Sequence, residues 1–447
     1  MLTDTDRHAA QDHLSTLLQV QNLVVLVGSG ASFHLGSPQT RNLNVAAISS
    51  LIEQAGSTLE DADIALLETL NPDNSADLER LLTALQLAST LAEHTKDGSV
   101  TLGQGEDAMT FAVEELESLR KKVGSALVEA CKLPGNEERI DLQFRHDPLR
   151  AHRTFLSRIV RARRSNLPRP RIFTTNYDLV LERALDELGY PYIDGFSGTV
   201  DRRLNLAFYG LDYHRIDSSS QQVLARADSS LYLHKIHGSL NWRARAEPDR
   251  VTGVESLEVH QVTEESEIGD DDRVLIYPTT AKEGDTLAFP YSDLMRQLGD
   301  AVQQDDTAII SVGYGFADAH INRILLRSLA VNPALNVFVV DPNAVYEPQA
   351  MASALANSDP LGRTLQEVWP DIKKTAVAAL AQSQDARIAV LTGEAGKFTN
   401  FVNLLPEPGL NAGQASPQMV SDLIESLTII GNRAAGRNKE TGVQLDA

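Results

Sequence analysis

The stretch VVLVGSGAS, Val24 to Ser32, runs four apolar residues into two glycines separated by a serine. That is the pattern of a buried strand passing into a tight turn. Gly28 and Gly30 carry no Cβ, so the chain can turn sharply and admit a phosphate to its N–H groups at a helix N-terminus. Ser29 and Ala31 complete the turn, and Ser32 is placed to cap that helix or to bind the phosphate. A purely structural strand-to-helix turn reads the same way, so this stretch points to an α/β unit before it points to a ligand.

Three later segments repeat the arrangement of an apolar run ending in a polar turn: FTTNYD (Phe173 to Asp178), HGS (His237 to Ser239) and GYGF (Gly313 to Phe316). The run Arg171 to Thr174 leaves Thr175, Asn176 and Asp178 beyond the carboxyl end of a strand, where open α/β sheets bind their ligands. Asn176 offers a donor and an acceptor and Asp178 an acceptor, a pair able to orient a ribose or a water. Both also read as caps of a helix over Leu179 to Leu188, which fits Asp178 better than Asn176. His237 follows the run Leu231 to Ile236 and is suited to proton transfer near neutral pH, although a strand-end histidine can equally be structural. His234 has no such context. Asp341, ending VFVVDPN, suits a ribose diol or the turn set by Pro342 and Asn343. TGEAGKF (Thr392 to Phe398) lacks the glycine spacing of a phosphate loop and a Ser or Thr after Lys397, which excludes an ATP site of that type.

In this order GSGAS, TTNYD, HGS and GYGF resemble the sirtuin-type NAD-binding core. The resemblance implies a pyrophosphate loop at Gly28, Ala31 and Ser32, catalysis by Asn176 and His237 with Asp178 supporting the ribose side, and Gly313, Tyr314 and Gly315 along the adenosine half. FTTNYDLVLERA, DGFSG (Asp194 to Gly198), LHKIHGSLNW (Leu233 to Trp242), LIYP (Leu275 to Pro278), DAHINRILL (Asp318 to Leu326) and FVNLLP (Phe401 to Pro406) are similar to the sirtuin-like subunit of bacterial anti-phage systems that pair it with a HerA-type ATPase. That family is implied to hydrolyse NAD, as substrate, to nicotinamide and ADP-ribose. Sirtuin deacylases differ at two positions, with Gln where Thr175 stands and Ile where Tyr177 stands, and they carry a four-cysteine zinc module. Cys131 is the single cysteine here, so a Cys₄ zinc site is impossible and no zinc is expected. A deacylase, an ADP-ribosyltransferase and a non-catalytic NAD or ADP-ribose sensor are the alternatives.

The 447 residues, 42% apolar, suffice for two domains or one large domain with an insertion. The expected fold is a Rossmann-like, doubly wound, mostly parallel α/β sheet with a helical insertion, divided as 1–41, an insertion at 42–149, the rest of the NAD-binding domain at 150–345, and a C-terminal α/β segment with a helical tail at 346–447. Strands are expected at 171–174, 231–236, 274–277, 308–312, 337–340 and 388–391. Leu78, Leu81, Leu82 and Leu85 form one helical face, His94 to Asp107 reads as a polar loop, Glu264 to Asp272 as an acidic loop, and Ser416 to Asn432 as a helix. A polar N-terminus, a lone cysteine and the lack of a long apolar run lead to the expectation of a cytoplasmic protein without membrane contact. The net charge of −21 makes direct nucleic-acid binding unfavourable. The arginine-rich block from Arg145 to Arg171 is read as a paired helix face or a subunit interface. A homo-oligomer and a HerA-type ATPase are the expected partners.

Overall fold

A computed structural model describes residues 4–37, 45–71, 78–103, 105, 108–134, 140–216, 224–227, 229–248, 253, 255–263, 273–275, 289–316, 318–342 and 385–407. The run 264–272, Ile276 to Pro278, and the helix expected at 416–432 lie outside these residues.

The core is a seven-stranded sheet in which every pairing is parallel: β1 (Asn22–Val27), β2 (Arg171–Thr174), β3 (Tyr192–Ile193), β4 (Leu231–Lys235), β5 (Thr307–Val312), β6 (Asn336–Val340) and β7 (Ile388–Leu391). The order is β7-β6-β5-β1-β2-β4-β3. Successive residues of β1 alternate between two cores. Val25 and Val27 pack with Phe155, Ile159 and Leu185 on one face, and Val24 and Leu26 pack with Leu294, Leu298 and Ile321 on the other. A strand buried on both faces reads as a continuous apolar run, and the helices over each face make the fold a doubly wound, Rossmann-like one.

Register then fixes where the functional loops emerge. Val27 pairs with Thr174 and Val312, Thr174 with Lys235, Val312 with Val340, and Val340 with Leu391, so six adjacent strands end level. Gly28, Thr175, Ile236, Gly313, Asp341 and Thr392 therefore begin six loops along one edge. The sheet order switches at β1, whose neighbours β2 and β5 lie on opposite sides, and open α/β sheets bind ligands at such a crevice.

Between β1 and β2 the helices Val45–Gln54, Asp61–Leu70, Leu78–Glu93 and Val113–Ala130 enclose a separate apolar cluster that includes Leu81, Leu82 and Leu85. The stretch read as a polar loop contains a strand, Ser99–Leu102, which pairs antiparallel with Met109–Ala112 because Val100 and Phe111 alternate into that cluster. A second departure lies after β4. The expected strand at 274–277 appears as Arg273–Leu275, and it belongs not to the parallel sheet but to a five-stranded antiparallel one built on the long strand Gly238–Pro248.

Four arginines of the arginine-rich block serve the fold. Arg163 donates to the carbonyls of Leu18, Gln21 and Pro168. Arg158 donates to those of Val402 and Leu405, which docks the C-terminal segment on helix Arg150–Arg161. Arg153 pairs with Asp147 and Glu187, and Arg169 with Asp212.

Candidate active site

The glycine turn after β1 passes into a short 3-10 helix, Ser29–Leu35, with Gly28 as its cap. The two glycines serve first to bring two loops together. A Cβ on Gly28 would stand 2.6 Å from the Gly313 carbonyl oxygen, and one on Gly30 would stand 2.9 Å from Gly313 Cα. The N–H groups of Gly28, Gly30 and Ala31 donate to Val312, Gly313 and Gly28 carbonyls. These three N–H groups therefore hold the loop, and the face left open carries Ser29 and Gly30, both exposed.

Ser32, Asn176 and Asp178 meet behind that loop, all buried. The Asn176 amide donates from Nδ2 to Ser32 Oγ at 3.3 Å, and the Ser32 hydroxyl donates to Asp178 Oδ2 at 3.1 Å. Asp178 Oδ1 accepts the Val180 N–H at 3.0 Å, so it also starts helix Val180–Leu188 as a cap would. Thr174 Oγ1 accepts the Asn176 backbone N–H. This chain aims Asn176 with its Nδ2 inward and leaves Oδ1 buried with no hydrogen-bond partner among the described residues. A buried acceptor without a donor is costly, and it marks where a ligand hydroxyl or a water fits.

Two backbone bonds clasp the loops after β2 and β4. The N–H of Ile236 donates to Thr174 O and that of Leu240 to Tyr177 O, both at 3.0 Å. His237 is thereby held opposite Thr175 and Asn176. Its Nε2 lies 3.1 Å from Asp318 Oδ2, turned off the line of a hydrogen bond, and both side chains are buried. His234, by contrast, is sandwiched between Phe173 and Tyr209, and burial depresses its pKa well below the usual value.

Beneath the site lies a cluster that the strand pattern did not single out. Lys235 Nζ pairs with Glu182 Oε1 at 2.9 Å and donates to the carbonyls of Asp178 and Tyr177 at 2.5 and 3.2 Å. Burial pushes the Asp178 and Glu182 carboxyls up, and the Lys235 charge is the leading opposing influence on each. A lysine within the apolar run LYLHKI was the available signal, since such a residue is buried only with partners. Glu182 falls one helical turn after Asp178, and Asp318 stood in a segment noted only for its resemblance.

The remaining expected site residues divide. Thr175 bonds its N–H to Val27 O at the loop base, and Asp341 is half-buried at the end of β6 with its N–H on Leu391 O. Gly315 is exposed at the edge. Tyr314 does not present its ring to the crevice. The ring packs in the core, while the hydroxyl donates toward Asp318 O and Asn322 Oδ1.

Residues 170–359 match a family model described as SIR2-like domain. No curated protein matches the chain. The match supports a Sir2-type fold and NAD-related chemistry, and it spans Asn176, Asp178, Lys235, His237 and Asp318. The loop from Gly28 to Ser32 lies before it, joined to it by the β1 pairings and the Gly313 contact. Among the described residues no group of three or more His, Cys, Asp or Glu could hold a metal ion, and no helix is long and apolar enough to cross a membrane.

Proposed function

We propose that the protein is an NAD glycohydrolase. The observation that carries this reading is the buried, partnerless Asn176 Oδ1 at the carboxyl edge of the sheet, beside the loop that bears His237. NAD runs along the row of strand ends, with its pyrophosphate at Ser29 to Ser32, its nicotinamide ribose at Asn176, and its adenosine side toward Gly315 and Asp341. The C1′–N bond breaks with its electron pair passing to the pyridinium nitrogen, so neutral nicotinamide leaves. A water oxygen bonds to C1′, and its proton goes to His237 and then to solvent. Net, NAD⁺ and water give nicotinamide, ADP-ribose and one proton. Asn176 Oδ1 orients the water or a ribose hydroxyl, a positioning effect, and a general base contributes about 10² to 10⁴ in rate.

An uncontrolled NADase depletes a central metabolite, so the reading extends to gating by a HerA-type ATPase in anti-phage defence, within a homo-oligomer. Two features support a regulated surface. Tyr177 and Leu240, which flank the catalytic residues in sequence, sit in the core of the helical unit. On helix Leu78–Glu93, Leu87 and Leu91 lie one turn apart and are 54% and 57% exposed. The test is nicotinamide release by the purified protein, alone and with the ATPase, using Asn176→Ala and His237→Ala as controls. Release abolished by both substitutions is the expected result. NAD binding without loss in either state would move the reading to a sensor or to a transferase that lacks its acceptor.

A further inference from the structure

The two carboxylate oxygens of Asp318 face different partners. Its Oδ1 accepts the N–H groups of His320 and Ile321 at 2.8 and 3.2 Å, which caps the 13-residue helix Ala319–Val331. Its Oδ2 faces His237 Nε2. Capping alone needs one oxygen, and Ser, Thr or Asn would supply it equally well. The second oxygen is what only an acid of this length provides, and the helix N-terminus favours its negative charge.

The turn leading to Asp318 is held in a conformation that capping does not require. Gly313 has φ +63°, and Phe316, a bulky residue, has φ +51°, a region that such side chains rarely enter. Asn322 Nδ2 donates to Phe316 O at 2.8 Å, and the Tyr314 hydroxyl reaches Asp318 O and Asn322 Oδ1 at 3.3 and 3.2 Å. Asn322 from the helix and Tyr314 from the turn itself thus lock the strained turn, and the locked turn sets the carboxylate against the imidazole.

We propose that Asp318 is a positioning residue for His237. It keeps the imidazole proton on Nε2, so the lone pair of Nδ1 is the one offered to the water or ribose hydroxyl, and it stabilises the imidazolium once that proton has been taken. A carboxylate behind a catalytic histidine does both through tautomer and charge. The 3.1 Å contact tightens when substrate fills the site, as catalytic hydrogen bonds do. The inference rests on the NAD glycohydrolase reading for its kinetic arm only.

Two variants separate the cap from the histidine contact. Asp318→Asn keeps a capping oxygen but turns an NH₂ toward Nε2, which drives the ring proton to Nδ1. Asp318→Ser keeps a cap and places nothing against the ring. For both, kcat for NAD falls about 10²-fold while KM stays within about threefold, and the thermal midpoint stays close to that of the unaltered protein. Side-chain ¹⁵N spectra, with the His237 signals identified from a His237→Gln variant, show the proton on Nε2 in the unaltered protein and on Nδ1 in Asp318→Asn. A folded Asp318→Asn or Asp318→Ser that keeps kcat overturns the proposal, as does a His237 tautomer that Asp318→Asn leaves unchanged. If the unaltered protein releases no nicotinamide, the glycohydrolase reading fails, and the ¹⁵N arm still decides whether Asp318 sets the ring.

Discussion

Lys235→Met removes the cation beneath the candidate site while nearly preserving its volume. Lys235 is 3% exposed and serves one carboxylate and two carbonyls, with Asp178 close enough to feel its charge. Without it, Glu182 and Asp178 stay buried with no cation beside them, and the Tyr177 and Asp178 carbonyls lose a donor. Breaking a buried pair from one side costs about 3–5 kcal/mol, chiefly through the charge left behind. For a chain of 447 residues that lowers the thermal midpoint by about 3–5 °C. The sign with pH follows from the two carboxyls, whose folded-state pKa values lie above their ordinary ones because of burial. Between the ordinary and the raised value the folded state binds more protons than the unfolded one, so stability falls as pH rises through that window. Removing Lys235 raises both values further and widens the window upward. The deficit of Lys235→Met is therefore larger at pH 8 than at pH 5, and adding Glu182→Gln recovers part of it. Urea unfolding of the four proteins of that double-mutant cycle at both pH values reads all of this. A loss below about 1 kcal/mol, or a deficit that grows on acidification, would refute the electrostatic account.

Gly313→Ala places a Cβ 2.3 Å from the Ala31 nitrogen at a φ of +63°, so the loops after β1 and β5 must part. The expected cost is about 1–3 kcal/mol with a KM for NAD raised at least about tenfold, and steady-state kinetics with unchanged KM would show that the loop contact does not shape the site. His34, stacked on His152 and beside Phe398, is held by burial at a pKa of about 4. The folded state there binds fewer protons than the unfolded one, so stability is full above about pH 6.5 and declines as pH falls toward 4, by about 1.4 kcal/mol at pH 5.5. His34→Phe removes this share, and denaturant midpoints at pH 7.5 and 5.5 that decline equally in both proteins would contradict it.

The parallel sheet was legible because burial on both faces writes strands as continuous apolar runs, as in VVLV and VFVV, bounded by glycine or aspartate. The same rule explains the misses. Ser99–Leu102 and Met109–Ala112 have only one buried face each, so Val100, between Ser99 and Thr101, reads as part of a polar loop, while Phe111 falls into the helical period of Leu116, Leu119, Val123 and Leu127 and reads as helix although it lies in a strand. β3 is two residues long and leaves no periodicity to find. At the site, Ser32, Asn176, Asp178 and His237 were legible as polar residues at strand ends, where a sheet of this kind gathers them. Lys235, Glu182 and Asp318 were not singled out, because their roles depend on partners distant in sequence, such as Asp318 across 81 positions from His237.

The helical unit is not an appendage to this site. Tyr177 lies between Asn176 and Asp178 and Leu240 lies three residues after His237, yet both side chains complete the apolar cluster formed by helices Val45–Gln54, Leu78–Glu93 and Val113–Ala130. The Leu240 N–H to Tyr177 O bond ties the loops that carry Asn176 and His237 together. A close-packed cluster shifts between discrete arrangements and transmits displacement poorly by gradual yielding. Any partner that repacks these helices must therefore move Tyr177 and Leu240, and with them the spacing between Asn176 and His237. The loop of Gly28 to Ser32 is held from both sides of β1, by Gly313 after β5 and by the bonds of Ser32 to Asn176 and Asp178 after β2. On the glycohydrolase reading, the loop assigned to the pyrophosphate and the Asn176 side chain are therefore coupled through Ser32, so a change in the helices that shifts Asn176 alters turnover and the grip on NAD together.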